Sequence, residues 1–212
     1  MRDTEIKTNK KELAYFMRRL YKRGLTTTSG GNISLRISDD RILITPSQTD
    51  KGRMKSTDIG VLNINGEIIH SQLKLSMETG LHLAIYKARP DINAIVHAHP
   101  PFATSFAAAH QDINTNLLSE SRAILGTPLL SSYALMGSYE LSQIVAETSK
   151  KTNVILMANH GIVAVGVTLL EAFDRIEVLE NCAKVNAITK IIGQAQPLDP
   201  EQVIVIDKLI RL

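Results

Sequence analysis

The 212-residue sequence predicts an α/β fold in which helices flank a mixed, largely antiparallel sheet. Two observations support this fold class. Short apolar segments with alternating side chains occur in pairs around turn residues, which is typical of β-hairpins. Predicted helices also lie between the other predicted strands, but helices and strands do not alternate one by one as in parallel βαβ units. This disfavours a doubly wound sheet.

The first predicted element is a helix that begins at Asn9 and ends before Gly24. Asn9 can cap the helix, and Glu12 completes a capping-box pattern. Apolar side chains at positions 13, 16, 17 and 20 then form one face. A glycine is common just beyond the end of a helix.

Two β-hairpins are predicted next. Alternating apolar residues in NISLRI and RILIT flank Asp39 and Asp40, which favour a turn. The segments GVLNI and EIIH flank Asn65 and Gly66, a dipeptide that favours a tight reverse turn. Four strands are therefore expected in the first third of the chain.

Helical periodicity begins at Glu78 and predicts a helix that ends at Arg89, because Pro90 follows. Ser138 is predicted to cap a later helix. The segments beyond Pro90 are, in order, a strand in NAIVHAH, a helix in FATSFAAAH, a strand in TPLLSS, a helix in SYELSQIVAETSKK, and two strands in NVILMANHG and IVAVG.

Two further helices are predicted at the end of the sequence. Thr168 and Glu171 form a capping box for a long helix that runs towards Gly193. Asp199 and Gln202 begin a short terminal helix by the same pattern.

Composition and charge are those of an ordinary globular protein, so we expect residues 1–212 to form one domain. Apolar residues make up 44% and charged residues 21% of the chain. The formal net charge of +3 is spread without a run of like charges, which disfavours nucleic-acid binding. A modestly positive surface instead suits a phosphorylated small-molecule substrate.

A cytoplasmic location is expected. The single Cys182 cannot form an internal disulfide, and the N-terminal segment is too polar for a secretory signal. No uninterrupted apolar run is long enough to cross a bilayer, so no membrane association is predicted.

Three histidines and one glutamate have the residue types and spacing of a metal site. His97 and His99 are two residues apart in IVHAHP, so both side chains leave the same face of a strand. His160 follows an apolar strand at a short turn, and Glu78 offers a carboxylate. Such ligands suit zinc and neighbouring first-row cations. The alternative is two half-buried histidines that bond backbone carbonyls.

The other three histidines have no partner at such a spacing. His70, His82 and His110 are therefore predicted to be structural or surface residues. His82 shares its helix with Glu78 and is the one of the three expected to lie nearest the site.

Three short polar loops, SGGNIS, TPSQT and KLSME, are predicted to bind an anion together. Small residues let backbone amides approach an anion, and Asn32 with the hydroxyls of Ser29, Ser47 and Ser76 can donate hydrogen bonds. A helix starting at Ser76 would add a favourable dipole. Each loop alone is more often a plain turn, so the prediction depends on the set.

The order of these motifs resembles that of the class II aldolases of the adducin-head fold. The resemblance rests on SGGNIS, ILITPS, KLSMETGLH, RPDINAIVHAHPPFAT, YALMGSYELS and MANHGIVAVG, which span nearly the whole chain. It implies a three-layer α/β/α fold and a homotetramer with sites near subunit contacts. Within the family, the chain looks most similar to L-fuculose-phosphate aldolases.

The resemblance implies a lyase with one Zn²⁺ per subunit, held by Glu78, His97, His99 and His160. Glu78 would also be the catalytic acid/base. The ion would act as a Lewis acid on a ketose 1-phosphate of the L-fuculose 1-phosphate type, giving dihydroxyacetone phosphate and an aldehyde such as L-lactaldehyde. The phosphate would be bound by Gly31, Asn32, Ser47 and Ser76.

Differences within the motifs keep other activities open. The epimerase branch looks like SSDT where this chain has SMET, so Glu78 favours an aldolase over a sugar-phosphate 4-epimerase. Methylthioribulose-phosphate dehydratase remains the main alternative. Met77 and Gln48 stand where aldolases commonly have a serine and a glycine, and NTNLLSESRAIL lacks the tyrosine that aldolases have there. A non-catalytic adducin-like module would have lost the metal ligands, which this chain retains.

Overall fold

An eight-stranded sheet forms the centre of the protein in a computed structural model that describes residues 3–210. The strands are β1 (Asn32–Ser38), β2 (Arg41–Ile44), β3 (Gly60–Asn63), β4 (Ile68–His70), β5 (Ala94–Ala98), β6 (Leu129–Ser131), β7 (Val154–Met157) and β8 (Gly161–Gly166). Their order across the sheet is β4-β3-β2-β1-β5-β8-β7-β6. Among these strands, only the β6–β7 pair is parallel, so the predicted mixed, largely antiparallel sheet is confirmed.

Both predicted hairpins are present. The turn between β1 and β2 contains Asp39 and Asp40, as expected. In the turn between β3 and β4, Asn63 Oδ1 accepts hydrogen bonds from the backbone amides of Asn65 and Glu67, both at 3.0 Å. The hairpin sequences thus fold as their turn residues predict.

Helices cover both faces of the sheet. They are α1 (Asp3–Lys22), α2 (Thr79–Ala88), α3 (Pro101–Ala108), α4 (Ser119–Leu125), α5 (Tyr139–Ser149), α6 (Leu169–Ile192) and α7 (Pro200–Ile210). Apolar residues of α1, α3 and α6 pack on one face with Ile33 and Val96. Those of α2 and α5 pack on the other face with Ile95 and Val163. Neighbouring residues of β5 therefore enter opposite cores, and the three-layer α/β/α fold is confirmed.

Three of the predicted helix caps are present. Ser138 caps α5, and Thr168 Oγ1 accepts a hydrogen bond from the Glu171 amide at 3.1 Å. Asp199 and Gln202 bond each other's backbone amides at 2.8 and 3.0 Å, which is a complete capping box. None of the helices within residues 3–210 is both long and apolar enough to cross a membrane.

Two details of the helix prediction are wrong. Helix α1 already begins at Asp3, so Asn9 lies inside it and does not cap it. Ile6 packs against the core one turn earlier, and this tertiary contact favours the longer helix. Helix α4 was not predicted; its Arg122 forms a two-pronged ion pair with Asp207 of α7, with N–O distances of 2.7 and 2.6 Å.

The antiparallel pairing brings three strand ends together at the centre of the sheet. Asn32, at the start of β1, lies opposite His97, near the end of β5. His97 in turn lies opposite Val163 of β8, and the short turn between β7 and β8 contains His160 at the same end. Polar side chains from three different parts of the sequence therefore meet there.

Candidate metal and anion-binding site

Three histidine side chains converge at this end of the sheet. The ring centroid of His97 lies 4.6 Å from that of His99 and 4.9 Å from that of His160. One ring nitrogen from each histidine lies within 4.8 Å of the others. The structure thus brings together the three imidazoles predicted from the sequence, and the cluster can hold a metal ion.

His97 is oriented by the neighbouring strand. Its side chain is only 1% exposed, and its Nδ1–H donates a hydrogen bond to the Ile162 carbonyl at 2.9 Å. In a neutral imidazole this leaves the lone pair on Nε2. That nitrogen is buried and makes no hydrogen bond with the described residues, and its nearest charged neighbour is Glu78 Oε2 at 3.1 Å. An imidazole fixed in this way is suited to bind a cation through Nε2.

Glu78 lies against two of the rings, at the N-cap of α2. Its Oε2 is 3.1 Å from His97 Nε2, and its Oε1 is 3.2 Å from His160 Nε2. Burial alone would raise the pKa of this carboxyl, but the adjacent His97 and His160 imidazoles hold the pKa well below its usual range. The side chain is therefore an ionised carboxylate beside the imidazole cluster.

The unpaired atoms of this cluster fit a divalent cation. His160 Nδ1 and Glu78 Oε1 are both buried and, within residues 3–210, lack a hydrogen-bond partner. Burial, together with the nearby His97 and His160, lowers the pKa of His99 to about 3, so this ring keeps a lone pair at neutral pH. Buried nitrogen and oxygen atoms without donors or acceptors are costly unless an ion satisfies them.

His82 forms a buried hydrogen-bond chain behind Glu78. Its Nε2 is 2.5 Å from Asn32 Oδ1, and its Nδ1 is 2.6 Å from Ser34 Oγ, which lies 2.8 Å from the Tyr86 hydroxyl. Burial lowers the pKa of His82 to about 3, so the ring is neutral. With Nε2–H donating to Asn32 Oδ1, the Asn32 Nδ2 faces Glu78 and donates to its Oε2 at 2.8 Å.

A cavity of about 290 Å³ opens beside the histidines. Its lining includes the four residues predicted to bind phosphate, Gly31, Asn32, Ser47 and Ser76, together with Glu78, His99 and His160. His97 is buried and lies outside this lining. The predicted anion loops and three of the four predicted metal ligands therefore share one cavity.

The two serine loops of the cavity lie side by side. The Ser47 amide donates to the Lys74 carbonyl at 2.8 Å, which joins the loop after β2 to the loop before α2. Regular helix begins at Thr79, three residues after the predicted start at Ser76. Ser76 instead accepts a hydrogen bond on Oγ from the Glu78 amide at 3.2 Å, within the turn that leads into the helix.

Gln48, Met77 and Lys51 also lie in the cavity wall. Gln48 has a positive φ of 49°, a conformation that side chains seldom adopt, and Met77 is largely exposed at the cavity mouth. Lys51 is buried in the same lining, although no pattern in the sequence singled it out. The other histidines, His70 and His110, are exposed, as predicted.

Gly161 allows the closest packing beneath the histidines. A Cβ at this position would lie 2.5 Å from His99 Cδ2 and 2.7 Å from the Ala98 carbonyl oxygen. We expect Gly161→Ala to lower the free energy of unfolding by about 1–3 kcal/mol and to weaken metal binding, because His99 must move. Urea denaturation of the metal-free protein and a metal titration measure the two effects.

Gly80→Ala is the matched control for this substitution. A Cβ at Gly80 would meet Ser142 Oγ at an ordinary 3.7 Å, and alanine is favoured over glycine within a helix by about 0.5–1 kcal/mol. The control is expected to keep or raise stability. Equal stability of the Gly161→Ala and Gly80→Ala proteins would contradict the packing assigned to Gly161.

Comparison with known proteins gives one family. Residues 11–187 match the family described as Class II Aldolase and Adducin N-terminal domain. The L-fuculose phosphate aldolase of Methanocaldococcus jannaschii is 34% identical over 185 residues, covering 87% of this chain and 98% of that protein. The 5-deoxy-D-ribulose 1-phosphate aldolase of Bacillus thuringiensis serovar kurstaki is 30% identical over 199 residues, covering 93% and 92%.

Relatives with another named activity are also similar. The 3-oxo-tetronate 4-phosphate decarboxylase of Haemophilus influenzae is 32% identical over 171 residues, covering 79% of this chain and 81% of that protein. Among solved structures, an L-fuculose 1-phosphate aldolase superposes with a TM-score of 0.88 at 31% identity, covering 100% of this chain and 99% of that one. By sequence and by structure, this chain is a lyase that belongs to the class II aldolase and adducin N-terminal domain family.

Proposed function

We propose that this protein is a zinc-dependent aldolase that cleaves a ketose 1-phosphate of the L-fuculose 1-phosphate type. The products would be dihydroxyacetone phosphate and an aldehyde such as L-lactaldehyde. The observation that carries the proposal is the cluster of three imidazoles beside Glu78, of which His99, His160 and Glu78 line the same cavity as the predicted anion loops. The aldolase names of similar proteins support the reaction class.

The proposed metal ligands are Glu78, His97, His99 and His160, with one ion per subunit. Three imidazole nitrogens and a carboxylate oxygen are a donor set that zinc accepts. The bound ion would supply Lewis-acid stabilisation of the negative charge that develops on the substrate oxygens during cleavage. His97 supports this assignment, because the bond from its Nδ1–H to the Ile162 carbonyl holds its buried Nε2 beside Glu78.

Glu78 is the proposed catalytic acid/base. When the carbon–carbon bond breaks, the hydroxyl on the departing carbon loses its proton to become the aldehyde, and the electron pair of the bond passes to the dihydroxyacetone phosphate fragment. The carbon of that fragment that carried the bond must then receive a proton. A carboxyl group in the cavity beside the imidazoles is placed to carry that proton. The chain from His82 through Asn32 holds the carboxylate in one orientation by donating to Oε2.

The proposed phosphate-binding residues are Gly31, Asn32, Ser47 and Ser76. The Asn32 side chain already bonds Glu78 and His82, so one Nδ2 hydrogen remains for a ligand. Ser76 Oγ accepts from the Glu78 amide, which leaves its own hydrogen available to donate. Gly31 has a φ of +65°, and a Cβ there would meet the His97 carbonyl oxygen at 2.8 Å, so only glycine fits.

We further propose a homotetramer with sites near subunit contacts. Large apolar side chains of Tyr133, Leu135, Met136 and Tyr139 are exposed in the segment that leads into α5. Met136 also lines the cavity, so this apolar surface reaches the site. A group of large exposed apolar side chains in one segment favours contact with a second copy of the chain.

A coupled assay for dihydroxyacetone phosphate tests the proposed function. Zinc-loaded protein is incubated with L-fuculose 1-phosphate and, separately, with 5-deoxy-D-ribulose 1-phosphate. Release of dihydroxyacetone phosphate that a chelator abolishes is the expected result. Loss of carbon dioxide from a 3-oxo acid 4-phosphate would favour decarboxylation, the activity named for one similar protein. Dehydration or epimerisation without cleavage would favour the dehydratase or 4-epimerase alternatives instead.

A further inference from the structure

Lys51 is a buried lysine in the wall of the substrate cavity. It lies in a short 3-10 turn, Lys51–Arg53, and its side chain is only 1% exposed. Its backbone amide donates to the Thr28 carbonyl at 2.9 Å, which ties this turn to the segment before the SGGNIS loop. Lysine is almost never fully buried unless it is paired.

The contacts of Lys51 within the protein are to neutral oxygens. Its Nζ donates to the Pro46 carbonyl at 2.5 Å and lies 3.4 Å from Thr49 Oγ1. Asp50 is the neighbouring carboxylate in the chain, but it accepts from the Gly52 amide and lies 3.5 Å from Arg53. In the part of the chain that the structure describes, no carboxylate forms an ion pair with Lys51.

This environment leaves a positive charge without a counter-charge. Burial lowers the pKa of Lys51 to about 8, with no compensating carboxylate. An ammonium group has three donors, and the TPSQT loop engages two of them, the second at long range. Burial of a charged ammonium group is energetically unfavourable, and binding of an anionic ligand would compensate for it.

Lys51 lies beside one of the loops proposed to bind the phosphate, since its Nζ donates to the carbonyl of Pro46, the neighbour of Ser47. Lys51 lines the same cavity as Gly31, Ser47 and Ser76, and it is the one lysine or arginine among the described residues of the lining. The other proposed phosphate contacts are hydroxyl, amide and backbone groups, which carry no net charge. A phosphate ester has up to two negative charges, and apart from the proposed metal ion Lys51 is the lysine or arginine of the lining that can offset them.

We propose that Lys51 is the cationic contact for the phosphate group of the substrate, and so a specificity-determining residue for phosphorylated over unphosphorylated ketoses. The inference rests on the proposed function, because it places the phosphate in this cavity. Lysine binds phosphate as a compact point charge and does not need the two-pronged geometry of arginine. The contact from its ammonium group would replace the hydrogen bond of the serine hydroxyl that is absent at Met77.

Substitution of Lys51 by methionine tests the inference, because methionine keeps an unbranched side chain and removes the charge. Lys55→Met is the matched control, since Lys55 is an exposed lysine four residues away that does not line the cavity. The first measurement is binding of inorganic phosphate by calorimetry at constant ionic strength. Lys51→Met is expected to weaken it about 10–100-fold, in the range of a hydrogen bond to a charged group, and Lys55→Met to leave it unchanged.

The second measurement compares phosphorylated and unphosphorylated ketoses as substrates. Lys51→Met is expected to raise KM for the ketose 1-phosphate with a smaller effect on kcat, and to reduce the preference for it about 10–100-fold. A role confined to holding the TPSQT loop would lower stability and affect both substrates equally. That equal effect, or unchanged phosphate affinity, would overturn the inference.

Two further outcomes separate this inference from the proposed function. If the wild-type protein cleaves no ketose 1-phosphate but phosphate binding still depends on Lys51, the proposed aldolase activity fails and the assignment of Lys51 stands. If Lys51→Met does not fold, Lys51→Gln replaces it, because its amide can donate to the loop without a charge. Failure of both variants to fold would assign Lys51 to loop structure and overturn the inference.

Discussion

Glu78→Gln is expected to retain a bound metal ion and to lose about 10²–10⁴-fold in turnover. Glutamine has nearly the same shape, and the three imidazoles that could hold the ion remain in place. Its amide cannot take up and release the proton that bond cleavage requires. Metal content by elemental analysis and kcat with the preferred ketose 1-phosphate measure the two parts of the prediction.

Glu12→Gln provides the control for the lost carboxylate, because Glu12 is exposed on α1 and lies outside the cavity lining. It should keep both metal and turnover. Wild-type turnover in Glu78→Gln would refute the acid/base assignment. Loss of the metal in Glu78→Gln would instead assign the carboxylate mainly to metal binding.

The strands and their turns were predictable because their signals are local. Asp39 and Asp40, and later Asn65 and Gly66, mark turns whose residues determine the backbone conformation. The capping box of Asp199 and Gln202 is equally local. The start of α1 was not predictable in this way, because Ile6 contacts the core through tertiary packing and so extends the helix beyond Asn9.

Part of the site was predictable because a strand has a period of two. His97 lies near the end of β5 and His99 one residue beyond it, so alternation along the chain places both rings on one side, and the pairing of β5 with β8 places the turn with His160 beside them. His82 also had a usable signal. It lies four residues after Glu78, so both side chains share one face of α2, although the spacing alone does not reveal the hydrogen bond to Asn32.

Lys51 had no comparable signal in the sequence. It lies in a polar segment with Asp50 and Arg53 nearby, a composition that is typical of an exposed turn. Its burial results from the packing of two loops that are distant from each other along the chain, joined by the hydrogen bond to Thr28. Patterns of neighbouring residues cannot predict such a contact, because it depends on how the central strands bring the two loops together.

His99→Ala is expected to weaken metal binding by at least about 100-fold and to abolish metal-dependent turnover. The substitution removes one of three imidazoles that lie within sharing distance of one ion. His97, His160 and Glu78 cannot replace it, because Glu78 already lies against both remaining rings. Competition titration with a chromophoric chelator measures the affinity, and elemental analysis measures the metal content after dialysis.

His70→Ala is the control for His99→Ala, because it removes a histidine that is not a proposed metal ligand. His70 is exposed at the end of β4 and does not line the cavity, so its removal should change neither metal content nor affinity. A folded His99→Ala protein that keeps stoichiometric metal would show that the ion is bound without this ring. His99 packs against Gly161, so replacing His99 with alanine opens space and creates no clash. If the His99→Ala protein loses the metal but keeps its stability, the missing imidazole nitrogen is the cause.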